Sequence, residues 1–164
     1  MAIDPGSPLH PYRVDPRAAR RDAIERLQAL GVALAEIPLA RSRPLLERFV
    51  SEFVDPSRVG ELRRELGRPL EIDRWLRPEC VQSGGSIGCV RWLAADAPGA
   101  RCVRFERSVT LPGLDIDLAT LDDTWAASWP GLFVSFDAGR ALVVTLDYEE
   151  VRCDVRSARG TPYR

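Results

Sequence analysis

Leu132-Phe133-Val134-Ser135-Phe136, then Asp137-Ala138-Gly139-Arg140, then Ala141-Leu142-Val143-Val144-Thr145-Leu146-Asp147-Tyr148 is the stretch that decides the fold. Two β-prone runs joined by a short turn containing Gly read as a β-hairpin. The first run is apolar at nearly every position, so its strand is expected to be covered on both faces. Phe133, Phe136, Val144 and Leu146 are the expected buried residues of this central hairpin. After Tyr148, the residues Val151, Cys153 and Val155 alternate with charged residues and extend the sheet.

Upstream, Ile87–Leu93 and Arg101–Leu111 form a second candidate hairpin across the loop 94–100. In its later strand Val103, Phe105, Val109 and Leu111 share one face, while Cys102, Arg104, Glu106, Ser108 and Thr110 share the other. That is the alternation of a half-buried antiparallel strand. Between the hairpins Leu118, Leu121, Trp125 and Trp129 predict a short helix capped by Asp117 or Thr120, and Pro130-Gly131 stops it.

The N-terminal half reads as helices. Asp15-Pro16 is a start signal, with Asp as the cap and Pro in the first turn; Ala23, Ile24, Leu27 and Leu30 follow at helical spacing up to Gly31. Val32–Ile37 reads either as a short strand or as a helical extension. Pro44 opens a second helix with a wide apolar stripe from Leu45 to Val54, and Asp55-Pro56 opens a third, ending near Gly67. Leu70–Leu76 reads as one or two helical turns. The expected fold class is α+β, with N-terminal helices packed on one face of a mainly antiparallel sheet built from two hairpins with an intervening helix.

The chain has 164 residues, 45% hydrophobic and 29% charged, which suits one soluble domain with a real core. The domain is expected over residues 15–156, between a flexible leader, 1–14, and a frayed tail, 157–164. Residues 1–7 have the character of a cloning scar and are set aside from the fold. No signal-peptide pattern and no membrane-length apolar run occurs, so the expected location is cytoplasmic, with no membrane partner.

All 23 basic residues are Arg, as a GC-rich bacterial genome favours, which weakens any mechanism needing a Schiff-base or phosphate-binding lysine. Cys80, Cys89, Cys102 and Cys153 form no close ligand pair, and the single His10 lies in the leader. Neither a metal site nor a cofactor is therefore expected, and the cysteines read as buried apolar residues. A Ser-His-Asp triad would have to use His10. The Ser83–Gly88 loop is Gly-rich but lacks the Gly-Lys-Ser/Thr ending of a P-loop. Arg17, Arg20, Arg21 and Arg26 read as a solvated helix face interrupted by Asp22 and Glu25, so a nucleic-acid partner is not expected. No catalytic residues are assigned.

Charge is distributed unevenly. Residues 112–150 hold eight acids against Arg140 alone, a local charge of −7, so the other residues carry +6 of a total of −1. The candidate partner-binding residues are Asp115, Asp117, Asp122, Asp123, Trp125, Trp129, Tyr148, Glu149 and Glu150. Acids interleaved with aromatic anchors suit a basic protein partner. The alternative is that the aromatics are core and the acids only solubilise.

In general character, Gly131–Phe136 with its turn and Leu146-Asp147-Tyr148-Glu149-Glu150, in a small α+β chain without a catalytic signature, resembles the immunity proteins with which bacteria neutralise polymorphic or contact-delivered toxins. The resemblance implies a non-catalytic binder that blocks a toxin's active site or an adjacent surface. It stands beside two rival readings. One is an accessory or structural domain of a larger bacterial protein. The other is a small enzyme or ligand-binding domain using Cys80, Cys89, acids or the Ser83–Gly88 loop.

Overall fold

The computed structural model describes residues 15–66, 71–82, 85, 87–107 and 111–159. The expected leader, Gly67, Ser83, Gly84 and Ser86 of the Ser83–Gly88 loop, Ser108–Thr110 and the tail beyond Arg159 lie outside those residues. The described helices are α1 (Pro16–Ala29), α2 (Leu39–Phe53), α3 (Val59–Glu65), α4 (Cys89–Ala94), α5 (Asp123–Ala127) and α6 (Val155–Arg159). The strands are β1 (Leu34–Glu36), β2 (Val81–Gln82), β3 (Arg101–Phe105), β4 (Leu114–Asp117), β5 (Gly131–Ser135), β6 (Arg140–Val144) and β7 (Glu150–Asp154). They form one sheet in the order β1-β4-β3-β5-β6-β7-β2, every neighbouring pair antiparallel. The fold class is α+β.

The central hairpin is β5–β6, registered from Gly131↔Val144 to Ser135↔Arg140. Alternate residues serve opposite faces. Phe133, Leu142 and Val144 join Cys102, Leu114 and Ile116 in a core closed by Leu27 of α1, Trp92 and Leu93 of α4 and Ala126 of α5. Leu132, Val134, Ala141, Val143 and Cys153 join Phe105 in a second core, closed by Phe49 and Phe53 of α2, Leu62 of α3 and Val155 of α6. The N-terminal helices expected on one face thus divide between both. The physical reason is in the strands: a sheet whose centre is apolar on both sides needs cover on both sides.

Local signals explain the helix starts. Asp15 accepts from the Arg17 N–H at 3.0 Å, with Pro16 in the first turn. Asp55 accepts from the Ser57 N–H and hydroxyl, starting a 3₁₀ turn, Pro56–Arg58, that runs into α3. Pro44 does not open α2; it lies inside the helix, which begins at Leu39 after Pro38. There the buried Ser42 donates to the Ile37 carbonyl at 3.0 Å and accepts from the Gly113 N–H at 2.9 Å, tying the first turn of α2 to the approach to β4.

Three further expectations change. Ile87–Leu93 is not a strand: α4 runs from Cys89 and ends at Ala95, which has φ +48. Cys89, Val90, Trp92 and Leu93 are all buried, the i, i+1, i+3, i+4 spacing of a helical face. The second hairpin is instead β3–β4, registered Arg101↔Asp117 to Arg104↔Leu114. The helix expected over Leu118–Trp129 is two short pieces, a 3₁₀ turn Leu118–Thr120 capped by Asp117 and α5 capped by Asp122. Finally, Phe133 and Val144 are buried as expected, but Phe136 is half-buried in the turn and Leu146 is 59% exposed, because β6 ends at Val144.

The supposedly solvated face of β3 is also buried. Arg104 is only 1% exposed. Its guanidinium lies 3.6 Å from the Trp129 ring centroid and 5.4 Å from that of Phe133. It pairs with Glu106 and donates to the Pro130 carbonyl at 2.6 Å. Arg20 lies 3.8 Å from the same Glu106 and also pairs with Glu36 at 2.7 Å. Burial lowers the Arg104 pKa, and Glu106 opposes that shift. Gly131 makes room: at φ +154, a Cβ there would stand 2.6 Å from the guanidinium and 3.1 Å from the Phe105 carbonyl oxygen.

Candidate functional site

The connection from β6 to β7 is a turn closed by its own hydrogen bonds. The Thr145 N–H donates to the Glu149 carbonyl at 2.9 Å, and the Tyr148 N–H donates to the Thr145 carbonyl at 2.9 Å. The Glu149 N–H donates to the Thr145 hydroxyl at 3.1 Å. These bonds hold Tyr148 at φ +61, in the left-handed region that L residues avoid. Tyr148 is 62% exposed and Leu146 59% exposed, with Asp147 and Glu149 exposed between and beside them. Among the described residues neither the Asp147 nor the Glu149 carboxylate is in an ion pair.

Beside this turn an open cleft of about 330 Å³ separates it from the 3₁₀ turn Ile72–Trp75. Glu71, Asp73, Asp147 and Glu149 line it together with Arg74 and Arg107, and Val143, Thr145 and Leu146 add apolar and hydroxyl groups. Arg74 is paired with Glu71. Four carboxylates against two guanidinium groups leave the lining acidic. The arrangement can hold a cationic side chain against an apolar wall; it assembles no nucleophile with a base.

The nine residues singled out from the sequence fall into separate places. Tyr148, Glu149 and Glu150 are together in the β6–β7 turn region, and Glu150 pairs with Arg152 at 3.1 Å. Asp122, Asp123 and Trp125 gather near the start of α4. There Asp122 accepts from the Trp125 N–H at 2.8 Å, while Asp123 accepts from the Val90 N–H at 2.7 Å. Asp115 lies on β4, paired with Arg101 at 3.0 Å, and Asp117 caps the following turn. Trp125 is half-buried against the core, and Trp129 covers Arg104 and meets Phe133 edge-on at 6.1 Å. Asp117 stands opposite Arg101, whereas Phe105, four residues further along β3, stands opposite Leu132, next to Gly131 and its partner Val144. Asp117 and Val144 are thus separated by roughly 16 Å along the strands, and Tyr148 lies in the turn beyond Val144. The acidic segment is not one continuous surface; most of its carboxylates cap turns or pair with arginine.

Cys89, Cys102 and Cys153 offer no ready nucleophile at neutral pH. Burial pushes the Cys102 and Cys153 thiols up to about 12. Cys89 is also pushed up to about 12, first by burial, then by the nearby Glu150 and Asp123 carboxylates. Among the described residues no group of three His, Cys, Asp or Glu side chains is placed to hold a metal ion.

Leu146, Asp147, Glu71 and Asp73 were missed in the sequence. Leu146 follows Leu142 and Val144 in period two, so the local pattern pointed it inward; the turn at Thr145 turns it out. Glu71 and Asp73 meet the cleft only through tertiary packing and carry no local signal. No protein-family model, curated protein or solved structure matches the chain.

Proposed function

We propose that this chain is a non-catalytic protein-binding module that presents the Leu146–Glu149 turn and its acidic cleft to a basic partner, most concretely a bacterial toxin that it blocks. The observation that carries this reading is Tyr148, an aromatic side chain held at φ +61 and 62% exposed, beside Leu146 and two unpaired acids. Folding alone gains little from such a residue, since the left-handed region costs a non-Gly residue roughly 1–2 kcal/mol and the side chain is left in water. Exposed tyrosines ringed by charge are common anchors of protein interfaces. The resemblance to toxin-neutralising immunity proteins supports the same reading. Among the described residues no helix is long and apolar enough to cross a membrane, which accords with a proposed cytoplasmic encounter.

Steric blockade explains inhibition without chemistry. The turn would occupy the partner's basic surface, and the unpaired Asp147 and Glu149 would speed the encounter at low salt. The test is capture of the partner from the source bacterium, followed by binding kinetics at two salt concentrations. Tyr148→Ala is expected to weaken binding about 30-fold or more, equivalent to about 2 kcal/mol, mainly through the off-rate. The on-rate is expected to fall as salt rises, because the Debye length is about 10 Å at 0.1 M. A partner indifferent to both changes, or turnover of a small substrate by the chain itself, overturns the proposal.

A further inference from the structure

Cys80 and Cys153 are neighbours across a sheet edge. Cys80 ends the 3₁₀ turn Pro78–Cys80 and directly precedes β2, whose Val81 lies opposite Cys153 of β7. The two side chains belong to the same buried cluster, and the Cys80 thiol lies near enough to raise the pKa of the Cys153 thiol. Directly opposite residues of an antiparallel pair, such as Val81 and Cys153, have Cα atoms about 4.5–5.5 Å apart, and Cys80 is the residue next to that position, within the reach of a disulfide. Cys89 and Cys102 sit in the cluster on the opposite face of the sheet, so neither competes.

We propose that Cys80 and Cys153 are an oxidation site, closing a disulfide that fastens the edge strand β2 to β7 when a low-molecular-weight disulfide is present. None of the four cysteines is in a disulfide in this structure. The edge is short: β2 has two residues, and Val81 and Gln82 are both exposed. Short edges of this kind open locally, and that opening gives the oxidant access. Cys80, 5% exposed against 0% for Cys153, reacts first. Its thiolate attacks the small disulfide, forming a mixed disulfide and releasing one small thiol. The Cys153 thiolate then attacks the sulfur of Cys80 and releases the second. Two protein thiols lose two protons and two electrons, and one small disulfide gains them. Because burial raises the Cys153 thiol to about 12, the closing step speeds up as pH rises and more thiolate forms.

The test is incubation of the full chain with glutathione disulfide, followed by intact mass, peptide mapping and thermal unfolding. The expected result is loss of two hydrogens, one cross-linked peptide joining Cys80 to Cys153, and a rise in Tm of about 5–10 °C that dithiothreitol reverses. Cys80→Ser should abolish the cross-link and the shift, while Cys89→Ser should keep both. If Cys80→Ser does not fold, alkylation of the native chain before and after oxidation decides the matter: protection gained at Cys80 and Cys153 together supports the site. Four thiols still titrating after oxidation, glutathione adducts alone, or a cross-link through Cys89 or Cys102 overturns it.

Discussion

At Tyr148 the backbone stands at φ +61, where glycine is at ease and tyrosine is strained. Tyr148→Gly therefore separates folding from binding. Its stability, measured by denaturant unfolding, should equal that of the parent or exceed it by up to about 1 kcal/mol, while partner affinity falls as for Tyr148→Ala. Loss of stability in the glycine variant would mean that the ring serves the fold. Asp122 and Asp123 call for a different pair of changes. Both carboxylates accept backbone N–H groups at helix starts, and asparagine can accept them equally well. Each Asp→Asn change should leave stability nearly unchanged, whereas each Asp→Ala change should cost about 1 kcal/mol in thermal or chemical unfolding. Acids that looked like a binding surface in the sequence are thus legible, in the structure, as caps.

At the scale of the elements, β5 bears most weight. Phe133 is fully buried under Trp129, so Phe133→Ala should cost about 3–5 kcal/mol, read from the denaturant midpoint at unchanged slope. Arg104, between Trp129 and Glu106 on the neighbouring strand β3, behaves as a buried ion pair. Arg104→Ala should cost a similar amount, because it empties the space under the ring and removes one partner of a largely buried Glu106. Arg104→Met combined with Glu106→Gln should cost less than the single alanine change, since it fills the space and removes the charge to be paired. The 3₁₀ turn after Asp55 has a pH signature. Hydrogen bonds from the Ser57 hydroxyl and N–H hold the Asp55 carboxyl below the usual aspartate value. A lowered folded pKa contributes stability above the unfolded value, and that contribution is lost as pH falls through the folded one. The Tm difference between the parent and Asp55→Asn should therefore shrink on acidification below about pH 4.

For the whole molecule, the sheet is covered on both faces, and its acids are spent on local pairing more than on a common field. The chain's net charge of −1 is thus less informative than the unpaired acids of a single turn. The β5–β6 hairpin, the Asp15 and Asp55 helix starts and the α+β class could be read directly, because each depends on residues within a few positions of one another. Turn glycines, N-caps and apolar runs act over that range. Cys89–Leu93 could not be read correctly, since five residues of mixed apolar pattern satisfy a strand or a helix equally, and only packing under β6 chose the helix. Leu146 was misread for a related reason: period two continues on paper, whereas the chain turns at Thr145. What the amino-acid order determined by itself was the set of local segments and the presence of a two-faced apolar sheet. What only the tertiary structure decided was which helix covers which face, that Arg104 and Glu106 are largely buried together, and that Glu71 and Asp73 line one cleft together with Asp147 and Glu149. Those outcomes depend on contacts between residues tens of positions apart, and no local propensity encodes such contacts.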